Sequence, residues 1–270
     1  MRSQGDSETW ICLERSGSVC VVTLNAPKQL NSIHAEMMTE LIGVLEDVQA
    51  DSSCRALVIA ANGRAFCTGA HVGEMAGFED KGREIALLLD QGWNRVVRLI
   101  RDMPKPVIAA VQGIAAGGGV GLALAADVVL AARSAQFIQV FGPKLGVVPD
   151  VGSTWFVPRA IGRARAMSLM LTGKPLDAET AEAWGLIAHC VDDDALIEET
   201  MALARQLADG PVAAFAEIRA AVDRSLVSDL GGQLDYERDT NGRLCAGADF
   251  TEGTSAFVEK RSPKFTGHKP

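Results

Sequence analysis

The sequence lacks any apolar run approaching the roughly 20 residues a helix needs to cross a bilayer, so no membrane span is expected. Met1 to Glu8 are polar and lack the basic-then-apolar order of a signal peptide, which places the expected location in the cytoplasm. Six cysteines (Cys12, Cys20, Cys54, Cys67, Cys190, Cys245) are scattered without CxxC spacing. Neither a zinc site nor a disulfide framework is expected, and they read as free thiols. His34, His189 and His268 form no ligand set, and no metal is expected. Positive charge is also short: 26 Lys and Arg face 34 Asp and Glu, a formal net charge of -8. That balance opposes binding to nucleic acid, where Lys and Arg must neutralise phosphates. It leaves room for a phosphorylated small ligand, which needs only a few local cations or a helix N-terminus.

What is present is aliphatic: 48% of the 270 residues are hydrophobic, enough for one large domain or a core with a small appendage. Two β-branched runs, Trp10 to Arg15 and Val19 to Leu24, flank Ser16, Gly17 and Ser18 and predict a β-hairpin. After Pro27, Asn31 or Ser32 can cap a helix with apolar residues at Met37, Met38, Leu41, Ile42, Leu45 and Val48. A short buried strand, Ala56 to Ala60, precedes a loop and an amphipathic helix over Ile85 to Ile100. Strands at Val107 to Val111 and Val128 to Ala131 bracket a glycine cluster that opens a helix.

This repetition of strand, strand and helix predicts an α/β coil of stacked turns rather than a doubly wound sheet. From about Gly152 helices dominate: Arg163 to Leu171, Ala178 to Trp184, Ala195 to Ala208, Pro211 to Leu226, Gly231 to Cys245 and Asp249 to Lys260. The expected organisation is a core over residues 1–200 that carries the site and a helical region over 201–270 suited to an oligomer interface.

Two segments can carry chemistry. Ala61 to His71 follows a strand and is rich in glycine and small residues, which lets a ligand approach the backbone or simply makes a turn. Gly117-Gly118-Gly119-Val120-Gly121 opens a helix, where free amides and the helix dipole favour negative charge; close helix packing is the other role open to it. It is no P-loop, because no Lys-Ser or Lys-Thr follows, and no dinucleotide fingerprint, because GxGxxG spacing is absent. Two amides from different loops are what an oxyanion hole requires.

At this point the chain resembles the enoyl-CoA hydratase/isomerase (crotonase) family over roughly residues 10 to 265. Asn25-Ala26-Pro27-Lys28-Gln29-Leu30-Asn31-Ser32 resembles the stretch that meets coenzyme A. Ala65-Phe66-Cys67-Thr68-Gly69-Ala70 resembles the first oxyanion loop, and Lys105 to Gly113 with the glycine triplet resembles the second. Glu252 to Arg261 is similar to the C-terminal helix. The resemblance implies a spiral of ββα repeats with a C-terminal helical region, assembled as a homotrimer or dimer of trimers. It implies oxyanion amides at Ala70 and Gly118. It implies coenzyme A contacts from Ala26, Lys28, Leu30, Ala65, Phe66, Gly69, Phe257 and Lys260, the last two toward the nucleotide end unless they are a packing aromatic and a solvated lysine. No cofactor is implied beyond the coenzyme A that carries the substrate.

The family's hydratases hold a water between two glutamates, and here the matching positions are Gly121 and Phe141 or Gly142. Their absence counts against ordinary hydration. Asp150 remains, in a stretch from Phe137 to Arg165 that resembles the epoxyphenylacetyl-CoA isomerase branch and related enoyl isomerases, where an aspartate moves the proton. Two roles fit it: a proton carrier with its pKa raised by Phe141, Val148 and Val151, or a helix cap ahead of Gly152 to Ile161. His71 stands where relatives commonly carry Asp, and the loop at Gly142-Pro143 is one residue longer than theirs. The dehalogenase branch pairs its aspartate with a histidine on the preceding helix, whereas here Asn94 follows Trp93. The alternatives carried forward are a 2-enoyl-CoA hydratase (a lyase) of fatty-acid β-oxidation with an unconventional base, and a non-catalytic CoA-ester-binding protein.

Overall fold

The computed structural model describes residues 9–267, so Met1 to Glu8 and His268 lie outside it. β1 (Ile11–Ser16) and β2 (Val19–Leu24) form the antiparallel hairpin. From β2 the main sheet grows in parallel through β3 (Ala56–Ala61), β5 (Val107–Val111), β7 (Val128–Ala132) and β10 (His189–Val191). A second, four-stranded sheet takes β4 (Ala65–Cys67), β6 (Ile114–Ala116), β8 (Gln136–Ile138) and β9 (Leu176–Asp177). After the hairpin and α1, each of the three turns β3-β4, β5-β6 and β7-β8 adds one strand to each sheet and is followed by helix, which is the expected ββα spiral.

The helices are α1 (Ala35–Ala50), α2 (Val72–Ala76), α3 (Lys81–Leu87), α4 (Asn94–Arg101), α5 (Gly118–Leu124) and α6 (Ser153–Thr172). They are followed by α7 (Ala178–Trp184), α8 (Leu196–Ala208), α9 (Val212–Ser225), α10 (Leu230–Cys245) and α11 (Ala248–Glu259). β3 and β5 read as unbroken apolar runs because both faces are covered. One face joins Leu57, Ile59, Val107 and Ala109 to the α1 residues Met37, Leu41 and Leu45. The opposite face joins Val58, Ile108 and Ala110 to Leu196, Ala204 and Ala208 of α8. Among the described residues no helix is long and apolar enough to cross a membrane.

Four expectations need correction. α1 is capped by His34, whose Nδ1 accepts the Met37 N–H at 3.4 Å, and not by Asn31 or Ser32. Asn31 is buried in the left-handed region (φ 51°), which Asn tolerates, and its carboxamide joins two loops. It accepts the Ala26 N–H at 2.8 Å and donates to the carbonyls of Asn62 (2.9 Å) and Ala65 (2.8 Å). Ile85 to Ile100 is not one helix: a π turn, Leu88–Trp93, separates α3 from α4 and carries Gly92 and Trp93 into the core. The expected helix at Arg163 is the second half of α6, which starts at Ser153 and breaks at Gly162 (φ 77°, ψ 159°). Finally, every strand of the second sheet (β4, β6, β8, β9) and β10 lies outside the strands expected above, since two or three residues are too few to show a period.

Candidate active site

The ends of β4 and β6 bring the two glycine-rich segments together. Gly69 has φ 89°, and a side chain there would meet the Gly118 nitrogen at 2.9 Å and the Ala116 carbonyl at 3.2 Å. One residue on, a Cβ at Gly119 would lie 2.0 Å from the Cys67 carbonyl oxygen. Glycine thus lets two backbones touch where any side chain would hold them apart. Among the described residues, the Ala70 and Gly118 N–H groups have no backbone acceptor, although Ile33 brackets Ala70 by accepting from His71 (3.1 Å) and donating to Gly69 (2.8 Å). Gly118 is the first residue of α5, so its amide also carries the positive end of that short helix.

Ala70, Gly118 and Asp150 line one cavity of about 420 Å³. Its remaining walls come from the π turn (Leu88, Leu89, Trp93) and Ile85, from Val72 and Met75 of α2, and from the segment Val140 to Pro149. Among the described residues Asp150 is its only ionisable side chain. Burial pushes the Asp150 carboxyl up to about 6, opposed weakly by its own backbone N–H. The carboxylate does not cap α6. Gly152 holds the cap position with φ 76°, and the Asp150 carbonyl, not its side chain, accepts the Ser153 N–H at 2.9 Å.

The expected apolar wall holds in part. Phe141 is buried and lines the cavity, and Val148 lines it while remaining 74% exposed; Val151 is buried behind Gly118. Gly121 has no room for a side chain, because a Cβ there would stand 2.1 Å from the Val151 carbonyl oxygen. The segment at Gly142-Pro143 forms a second π turn, Phe141–Leu145, with Pro143 packed against Gly173 at the end of α6. Val72 and Met75 were missed; their i, i+3 spacing after His71 was the available signal.

His71 is structural in this geometry: its Nδ1 accepts the Glu74 N–H at 3.1 Å and caps α2. Among the described residues no histidine lines the cavity. Cys67 is fully buried, its thiol pushed up to about 12 by desolvation, which removes it as a nucleophile. Among the described residues no three His, Cys, Asp or Glu side chains are grouped to hold a metal.

The loop carrying Ala26, Lys28 and Leu30 is tied to the loop carrying Ala65, Phe66 and Gly69. Besides the Asn31 clip, the Leu30 carbonyl accepts from the Thr68 hydroxyl at 3.2 Å. Lys28 is exposed, whereas the Phe66 ring is fully buried, which leaves that residue only main chain to offer a ligand. Phe257, 84% exposed, lines a separate cavity of about 640 Å³ between α9, α10, α11 and the tail. Neither it nor the exposed Lys260 reaches the Asp150 cavity within one chain.

A spiral of ββα turns carrying such a site is the crotonase-like fold. The enoyl-CoA hydratase/isomerase family profile matches residues 14–268, and the chain belongs to that family. It is 43% identical to the 1,2-epoxyphenylacetyl-CoA isomerase of Escherichia coli K12, over 92% of this chain and 95% of that one. It is 42% identical to a Rhodobacter capsulatus protein named "Probable enoyl-CoA hydratase", over 94% and 96%. A crystal structure of an enoyl-CoA hydratase from Mycobacterium smegmatis superposes with a TM-score of 0.88 at 30% identity, covering 96% of this chain and 99% of that one.

Proposed function

We propose that this protein isomerises a double bond or strained ring in the acyl group of a coenzyme A thioester, with Asp150 as the proton carrier. The observation that carries the reading is one carboxyl, the single ionisable side chain among the described residues lining an apolar cavity, on the same cavity as Ala70 and Gly118, whose amides lack backbone acceptors. The thioester oxygen would accept hydrogen bonds from Ala70 and Gly118, whose donors gain strength as the oxygen becomes an enolate. Asp150, ionised at neutral pH and basic for an aspartate, would take a proton from one carbon and return it to another. Proton transfer of this kind needs no resident cofactor. Ala26, Lys28, Leu30, Ala65, Phe66 and Gly69 would border the coenzyme A moiety, with Phe257 and Lys260 near its nucleotide end. An assembly of three or six chains fits the exposed Phe250, Phe257 and Val258 of α11.

The acyl group this cavity favours is uncharged, since among the described residues its walls offer no Lys, Arg or His to a second carboxylate. Hydration is the second reading, favoured by the name of the Rhodobacter relative. It needs a base for water that Gly121 and Phe141 do not provide. Asp150→Asn tests the choice. Isomerisation of a 3-enoyl-CoA, and deuterium uptake from D2O into its acyl chain, should fall by about 10²–10⁴-fold while thioester binding persists. A variant with full activity would refute the role of Asp150. Rapid loss of 2-enoyl absorbance with water addition would favour the hydratase, and binding without exchange across a substrate panel would leave a non-catalytic binder.

A further inference from the structure

Val151 is the one β-branched residue with a left-handed backbone, φ 52°, among the described residues. A branched Cβ disfavours that region strongly, and such strain persists only where the surroundings impose it. The surroundings here are α5. Gly118 and Gly121 lie three apart on one face of that helix. A Cβ at Gly118 would meet Val151 Cγ2 at 3.1 Å and the Trp93 ring at 3.4 Å, and one at Gly121 would meet Val151 Cβ at 2.8 Å. Val151 is therefore a knob set into a groove of two glycines, and it is 2% exposed.

Its two flanks matter. On one side it packs against Gly118, which lines the cavity; on the other it is bonded directly to Asp150. The left-handed pair Val151-Gly152 turns the chain so that the Asp150 carbonyl meets the start of α6 while the carboxyl stays on the cavity wall.

We propose that Val151 is a positioning residue that fixes the placement of the Asp150 carboxylate relative to the Gly118 amide. This rests on Asp150 being the proton carrier. The groove admits the knob only because residues 118 and 121 have no side chains, so the spacing between acid and amide is set by rigid packing rather than by a flexible loop.

The test compares Val151→Gly, which relaxes the backbone and empties the groove, with Val151→Thr, which keeps the branched shape. The assay is isomerisation of a 3-enoyl-CoA with an uncharged chain, read as kcat and KM separately alongside the melting temperature. Val151→Gly should lower kcat by about 10–100-fold with KM changed less than about threefold, since misplacement near 1 Å costs that much. Val151→Thr should restore kcat to within about threefold of the native value. The proposal is overturned if Val151→Gly keeps native kcat, if Val151→Thr is equally impaired, or if the loss tracks unfolding. Asp150→Asn separates the two claims. If it stays active the proton-carrier reading is wrong, and if it is dead while Val151→Gly is fully active only the positioning claim fails.

Discussion

Asp150 should make the protein less stable at the pH where it works, and Asp150→Asn should reveal this as a gain. Its carboxyl is displaced from an ordinary 3.8 to about 6 by burial, so ionising it is harder in the fold than in the unfolded chain. The sign follows from linkage: a raised carboxyl contributes stability that is fully present below about pH 4 and lost as pH climbs through about 6. The whole displacement corresponds to about 3 kcal/mol. Because the residue is only partly buried, screening by water reduces this to about 1–2 kcal/mol. Asparagine carries no charge at either end of that range. Urea unfolding of both proteins from pH 4 to pH 8 should show the variant more stable by about 1–2 kcal/mol at pH 8, with the gain shrinking to nothing near pH 4. A variant less stable at pH 8, or a gain that does not change with pH, would refute the claim that desolvation raises this carboxyl.

Asn31→Ala removes three hydrogen bonds between buried or partly buried groups and should lower stability by about 3 kcal/mol, measured by denaturant melts. Gly119→Ala forces a Cβ to within 2.0 Å of the Cys67 carbonyl oxygen. It should cost more than about 4 kcal/mol or prevent soluble expression. The exposed Cys245 should alkylate readily with iodoacetamide in the native protein, while Cys67 stays unmodified until unfolding. Mass mapping of the labelled peptides checks that contrast.

The architecture was legible because its evidence is local. The runs at Ala56 to Ala60 and Val107 to Val111 are apolar throughout, as strands covered on both faces must be, and the later helices kept their period to within a residue or two of α8 to α11. The candidate site was legible through residue type: glycines where backbones touch, and one carboxyl amid aliphatic neighbours. What stayed hidden depends on distance. Asn31 has the composition of a cap, and only its bonds to residues more than 30 positions away make it a clip between loops. The left-handed backbone of Val151 contradicts its own preference and is imposed by α5. The turn Leu88–Trp93 shows the same apolar spacing as an α-helix over so short a span, so its extra residue left no trace.

Both π turns, Leu88–Trp93 and Phe141–Leu145, stand in the cavity wall, on the side that would face the acyl group. A π turn holds one residue more than an α turn. Deleting a single residue from Leu88–Trp93, which runs directly between α3 and α4, or from Phe141–Leu145, which stands alone between β8 and α6, should tighten the chamber while leaving the strands of the spiral in place. Substrate size can in this way drift through insertions and deletions of one codon, independently of the groups that move the proton.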